Sequence, residues 1–162
     1  MQVNKWGPSA WEFLHTVTFN YSINPDKEEK NNNIIFFKSL ENILPCIYCK
    51  NSYSMYIKII PIEEYMNDRM GLTFWLFIIH NLINNKLGKN IESFKTVVIK
   101  YEKNRAICGK ITNENKKEIL TCQKNLENID FDKINKFVSE THKKYYKITK
   151  KYLKEYNSII YS

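Results

Sequence analysis

The residues best suited to chemistry in this chain are Cys46-Ile47-Tyr48-Cys49, preceded by Pro45. Two cysteines at this spacing on a helix N-terminus can close a short disulfide, and the positive end of the helix dipole lowers the pKa of the thiol facing it. The same spacing supplies half of a tetrahedral zinc site, with Cys108 and Cys122 as the other two ligands, and thioredoxin-like folds also use it. Taken alone, the pair leaves redox and metal chemistry both open.

A second group is polar where its surroundings are not. His80, Asn81 and Asn84 fall within the apolar run from Leu72 to Leu87. On a helix His80 and Asn84 share a face, with Asn81 beside them. Unpaired in a core, each would cost about 1 to 3 kcal/mol. Either they meet solvent at an edge, or a large polar heterocycle bound between helices satisfies them. His15, four residues after Trp11 on one face, has the same two readings: a packed or surface histidine, or a ligand. Trp11 and Trp75 are, singly, simplest as core residues.

The elements that must position these groups read as helices. Ser9 or Pro8 can start the first, after an irregular lead through Trp6 and Gly7, with Trp11, Leu14, Val17 and Tyr21 at helical spacing. Asn24-Pro25-Asp26 breaks it and caps a second helix carrying Ile34, Ile35, Phe37, Leu40 and Ile43. The Cys46 helix follows and stops at Pro61. Leu72–Leu87, apolar all round, is the expected centre of a bundle, with Gly88 as its C′ residue. A fifth short helix opens at Ile91-Glu92-Ser93 and carries Val97, Val98 and Tyr101.

Beyond about Lys103 comes a linker, in which Ile107 to Ile111 is a short strand or plain connection. A long helix from Asp130 to Tyr156 then carries a heptad-like stripe of Phe131, Ile134, Val138, Thr141, Tyr145, Ile148 and Tyr152. That stripe either docks on the bundle or pairs with another chain. The fold class is therefore all-α, with residues 1–103 as one domain and 104–162 as a basic, mainly helical extension.

The net charge is +8 over 162 residues, and residues 103–162 hold 14 Lys and Arg against 7 Asp and Glu. The basic character thus belongs to the extension, where Lys143, Lys144, Lys147, Lys150, Lys151 and Lys154 could contact phosphates. No base-reading motif accompanies them, and a solvated lysine face is the commoner outcome. No apolar run approaches the roughly 20 residues that cross a bilayer, and the N-terminus lacks the apolar core of a signal peptide. Neither a membrane span nor secretion by that route is expected. Four cysteines in a reducing compartment point to metal or catalysis rather than a disulfide framework, an enzyme that makes disulfides being the exception.

Three separated motifs agree in order and spacing: Trp11-x-x-x-His15-Thr16, then Pro45-Cys46-x-x-Cys49, then Trp75-x-x-x-x-His80-Asn81-x-x-Asn84-x-Lys86-Leu87-Gly88-Lys89. Together they resemble the Erv/ALR family of FAD-linked sulfhydryl oxidases over roughly residues 6 to 103. The start Trp6-Gly7-Pro8 and the phrase His15-Thr16-Val17-Thr18-Phe19 look most like the versions carried by large cytoplasmic DNA viruses.

The resemblance implies a four-helix bundle that holds FAD at its mouth, completed by a short fifth helix, in a protein that forms homodimers. It implies that Trp11, His15, Tyr21, His80, Asn81, Asn84, Lys86, Lys89 and Tyr101 surround the cofactor. Cys46 would meet a protein dithiol or a downstream thiol-disulfide carrier, and Cys49 would face the flavin. Molecular oxygen would receive the electrons as hydrogen peroxide. No metal is expected on this reading; the alternative is a zinc-binding or nucleic-acid- or partner-binding helical module. A viral enzyme of this kind would act in the host cytoplasm, at the viral factory, or be packaged in the virion.

The departures from the family pattern carry expectations of their own. Phe77 and Phe94 stand where cellular relatives carry a disulfide, so packing of two aromatics should replace that staple. The family arginine near the start of the first helix is absent, with Pro8 in its place, and Lys5, Lys86 or Lys89 would supply the charge. Cys108 and Cys122 correspond either to a shuttle pair passing electrons to the C-x-x-C, to a structural disulfide, or to two free thiols.

Overall fold

Residues 72–79 are buried around the whole helix circumference, and the fold is the arrangement that covers them. The computed structural model describes residues 1–104, 106–112, 118–124 and 130–154. Its helices are α1 (Val3–Asn20), α2 (Lys27–Ile43), α3 (Ile47–Ile59), α4 (Arg69–Lys86), α5 (Phe94–Glu102) and α6 (Phe131–Tyr152). A short 3-10 turn, Ile62–Tyr65, lies between α3 and α4, and two strands, β1 (Ala106–Thr112) and β2 (Glu118–Lys124), lie between α5 and α6. Helix α4 packs against α1, α3, α5 and α6, while α2 pairs with α3. The four-helix bundle with a short fifth helix stands as the sequence led us to expect.

Local signals set most boundaries. Asp26 caps α2 by accepting from the Glu29 amide at 2.7 Å, and Ser93 caps α5 by accepting from the Thr96 amide at 3.1 Å. Gly88 takes φ 63° just past α4, the left-handed conformation that a side chain disfavours, and the Lys89 amide returns to the Asn84 carbonyl at 2.9 Å. Helix α1 begins at Val3, five residues before Pro8. The proline was expected to mark the start, yet its fixed φ suits a helix, and so near the N-terminus it removes only one ladder bond.

The core is strongly aromatic. Trp75 is fully buried, donates its indole N–H to the Ile60 carbonyl at 3.0 Å, and meets Phe37 edge-on at 5.3 Å. Phe77 and Phe94 are both buried with ring centroids 5.1 Å apart, the aromatic packing expected of these two positions. Phe74 meets Phe94 edge-on at 5.0 Å, and from α6 His142 and Phe137 stack on it at 5.9 and 6.2 Å.

That contact settles the two readings of the last helix: α6 docks on α4 and α5. Ile134, Thr141 and Tyr145 of its stripe are buried. Thr141, the polar break in the pattern, returns its hydroxyl to the Phe137 carbonyl at 2.7 Å. The helix ends at Tyr152, and the expected end at Tyr156 lies outside the described residues. The linker region contains a hairpin: β1 includes the Ile107 to Ile111 stretch and pairs antiparallel with β2, a partner that weak alternation did not reveal.

One carboxylate joins α6 to α4. Asp68, 5% exposed, caps α4 by accepting from the Gly71 amide at 2.8 Å, and it also accepts from the Tyr145 hydroxyl at 2.9 Å and from Lys144. Tyr145 in turn stacks on Tyr65 at 5.6 Å. A Cβ at Gly71 would sit 2.1 Å from the Tyr65 carbonyl oxygen and 2.6 Å from the Tyr145 ring. Gly71→Ala should therefore destabilise the protein by about 3 kcal/mol or more through overpacking. Tyr145→Phe, which leaves Asp68 its other partners, should cost about 1 kcal/mol. Urea unfolding measures both, and a Gly71→Ala variant as stable as the parent would contradict this docking of α6.

Candidate functional site

Cys46 is the N-cap of α3, with extended backbone after Pro45, and Cys49 lies in the first turn. The amides of Tyr48 and Cys49, without ladder partners at the helix start, lie close to Cys46, as does the Cys49 thiol. These neighbours hold the Cys46 thiol below its ordinary value, the Cys49 side chain being the largest cause. Burial, then the bond to Cys46 and the charge there, push Cys49 up to about 11. The reduced pair thus gives up its first proton from Cys46, the sulfur at the helix end, while Cys49 holds its proton more tightly.

Both cysteines line a cavity of about 800 Å³ enclosed by α1, α2, α3, α4 and α5. That volume falls in the range of roughly 300 to 1,000 Å³ usual for cofactor sites. A column of rings crosses between helices beside it. Trp11 stacks on His80 at 3.9 Å and 7°, His80 Nδ1 is 3.0 Å from His15 Nε2, His15 stacks on Tyr101 at 4.9 Å, and Tyr101 stacks on Phe19 at 5.2 Å.

Both histidines are held neutral. Burial is the main cause for each, lowering His15 to about 3 and His80 to about 4, with neighbouring His80 and Lys100 adding to the first and Lys100 and Lys89 to the second. His15 Nδ1 is buried without a partner. The tautomer with hydrogen on His15 Nε2 leaves only an unpaired acceptor there, cheaper than an unpaired donor, and gives His80 its hydrogen at Nε2.

Charged groups adjoin this column. Glu12 is paired with Lys100 at 2.6 Å and accepts from the Tyr101 hydroxyl at 3.3 Å. Lys86 donates to Ser52 Oγ at 2.8 Å, and Lys89 also lines the cavity. With Glu12 engaged by Lys100, Lys86 and Lys89 bring net positive charge to the cavity. The Trp6 indole N–H, on the same wall, is buried without an acceptor.

Of the residues singled out from sequence, Cys46, Cys49, Trp11, His80, Asn84, Lys86, Lys89 and Tyr101 line the cavity, and His15 stands behind His80 and Tyr101. Besides His15, two further expected cofactor residues do not line it. The Asn81 amide pairs with both backbone groups of Glu92, at 2.9 and 3.2 Å, because one residue beyond His80 turns it about 100° round the helix toward the connection to α5. Tyr21, at the end of α1 and about 15 Å along the axis from Trp11, donates its hydroxyl to the Met66 carbonyl at 2.9 Å, and its own carbonyl accepts from Arg69 at 2.6 Å. Both residues position the walls instead.

Trp6, Glu12, Ser52 and Lys100 were not anticipated at the site. Trp6 was hidden by the late start assigned to α1, whereas Lys100 could have been found from its place next to Tyr101. Of the lysines considered as substitutes for the missing arginine, Lys86 and Lys89 reach the cavity and Lys5 does not line it.

The Erv1/Alr family model matches residues 8–104. A probable FAD-linked sulfhydryl oxidase of Acanthamoeba polyphaga mimivirus is 33% identical over 104 residues, covering 64% of this chain and 73% of that protein. An FAD-linked sulfhydryl oxidase of African swine fever virus is 31% identical over 97 residues, covering 60% of this chain and 80% of the relative. Among solved structures, the FAD-binding domain of Erv1 from Saccharomyces cerevisiae superposes with a TM-score of 0.60 at 26% identity, covering 63% of this chain and 95% of that one. With its motifs gathered on one cavity and the match spanning more than half its length, the chain belongs to the Erv1/Alr family.

Proposed function

We propose that this protein is an FAD-dependent sulfhydryl oxidase that forms disulfides in protein substrates. The carrying observation is that a C-x-x-C at a helix start opens onto a cavity of cofactor size, with an aromatic and histidine column beside it and unneutralised lysines on its wall. The residues fit FAD. Trp11 and His80 offer flat apolar faces, and His80 Nε2 and the Trp6 indole N–H offer donors to ring or ribityl acceptors. Lys86 and Lys89 match the negative charge of a pyrophosphate. FAD, when bound, supplies a two-electron acceptor that passes electrons to molecular oxygen, giving hydrogen peroxide.

The chain's own part is thiol chemistry and positioning. In the oxidised pair a substrate thiolate attacks the Cys46 sulfur, the Cys46–Cys49 bond breaks, and Cys49 leaves as a thiolate. The second substrate thiol loses its proton and attacks the substrate sulfur of the mixed disulfide, releasing Cys46. The side chains between the two cysteines, Ile47 at 62% and Tyr48 at 80% exposure, are apolar and open. They suit substrates that present cysteines in extended apolar segments. Neutral His15 and His80 keep the cavity free of further positive charge.

The protein is also proposed to work as a homodimer, through the α1/α2 face. Phe13 and Ile35 are 59% and 58% exposed there, and Phe13 meets Phe36 edge-on at 6.3 Å, forming an uncovered apolar patch of the kind that marks interfaces. A viral protein of this kind would act in the cytoplasm of the infected cell or within the virion.

Cys46→Ser should keep bound flavin, read by absorbance, and lose oxygen uptake with dithiothreitol. In the reduced parent, iodoacetamide should label Cys46 first at neutral pH and reach Cys49 only as pH nears 11; equal labelling would contradict the proton assignment. Phe13→Asp should shift the protein from dimer to monomer by light scattering.

Because His15 and His80 have folded pKa values below the unfolded 6.5, the unfolded chain binds more protons as pH falls through that value, and stability falls with it. The apoprotein's thermal midpoint should drop between pH 6.5 and 5, above the carboxylate range. The drop should be shallower in a His15→Gln/His80→Gln variant, and an unchanged slope there would mean that the pair protonates without cost.

A further inference from the structure

The oxidase reaction uses one of the two cysteine pairs. The other falls on the hairpin, where the register sets Cys108 directly opposite Cys122. Residues directly opposite in an antiparallel ladder have Cα atoms about 4.5 or 5.5 Å apart, depending on the type of pair. Disulfides span Cα separations of roughly 4.4 to 6.8 Å, so either type meets the distance condition without backbone movement. A slip of one residue would set Cys108 against Thr121 or Gln123 and lose this.

A second observation concerns what holds the hairpin. Each strand has seven residues and its extensive contacts are with the other strand, not with a helix. Two-stranded hairpins without a packed face are marginal in water. A covalent cross-link that limits the open conformations is the remedy that needs no core. An enzyme that makes disulfides provides the oxidant even in a reducing compartment.

We infer that Cys108 and Cys122 form a cross-strand disulfide that staples the hairpin, and that the Cys46–Cys49 centre of another copy of this protein installs it. The inference rests on the oxidase reading above. Among the described residues neither strand packs extensively on α3, and the proposed transfer is accordingly between two molecules. One hairpin thiolate attacks the Cys46 sulfur, the Cys46–Cys49 bond breaks, and Cys49 leaves and takes up a proton. The second hairpin thiol loses its proton and attacks the mixed disulfide at the hairpin sulfur. The new S–S bond forms, Cys46 departs with the electron pair and becomes protonated, and the active-site dithiol carries away the two electrons.

The test uses full-length protein. A Cys46→Ser/Cys49→Ser variant is reduced, freed of reductant and mixed under air with a small molar fraction of FAD-loaded parent, and Cys108 and Cys122 are followed by alkylation and peptide mass mapping. The expected result is a cross-linked Cys108–Cys122 peptide lighter by two hydrogens, appearing many-fold faster than without the parent. Hairpin thiols that stay alkylatable while the parent consumes oxygen with dithiothreitol would overturn the disulfide and leave the oxidase standing. A parent that consumes no oxygen would instead remove the oxidase reading. Oxidation at the same rate without the parent would overturn the catalysed installation. As a separate readout, Cys108→Ser should keep oxygen uptake with dithiothreitol and be cut faster by protease within residues 113–117; equal cutting would overturn the staple.

Discussion

Between Leu72 and Ile79 helix α4 has no face that meets water, and the rest of the molecule answers that constraint. From Leu72 to Ile79 each of its side chains is buried. Each of these larger apolar side chains contributes about 1.5 to 3 kcal/mol by leaving water, so every side of the helix must be covered. α1, α3, α5 and α6 do this. The apolar run stops being uniform at His80, and there the covering helices part to leave the cavity. The site is thus placed where the central helix changes from a core element to one that presents polar groups.

What makes the cavity a reactive site is the division of protons and charge around it. Burial keeps His15 and His80 neutral, while the Cys49 side chain and the amides at the start of α3 lower the Cys46 thiol and burial raises that of Cys49. The two sulfurs are made unequal by position alone: one sits at the helix end and the other a turn deeper. Residues outside the cavity maintain this geometry. Asn81 fixes the connection that delivers Tyr101, and Tyr21 with Arg69 locks the end of α1 to the start of α4.

An aromatic cluster ties α4 to α5. Phe77 and Phe94 bring α4 and α5 together, and Phe74, Phe137 and His142 enclose them. Aromatic pairs add about 0.5 to 1.5 kcal/mol beyond the area they bury, so several together can replace one cross-link. Their dependence on α6 makes the C-terminal helix part of the same core. The link through Asp68, Tyr145 and Lys144 has the same effect at the other end of α4.

The helical architecture was legible in the sequence because its signals are local, whereas the chemistry became legible only through the resemblance of three separated motifs to a known family. Helical spacing, the caps at Asp26 and Ser93, and Gly88 mark segments through interactions a few residues apart. The C-x-x-C sits beside its own helix start, and Trp11, His15, His80 and Asn84 could be grouped because each motif keeps its members on one turn or two. Only the tertiary structure decided which faces meet. It turned Asn81 and Tyr21 away from the cavity, brought in Trp6, Glu12, Ser52 and Lys100, docked α6 on the bundle and paired β1 with β2. Those outcomes depend on contacts between residues distant in the chain, where the cost of burying one polar group is weighed against partners that no local pattern names.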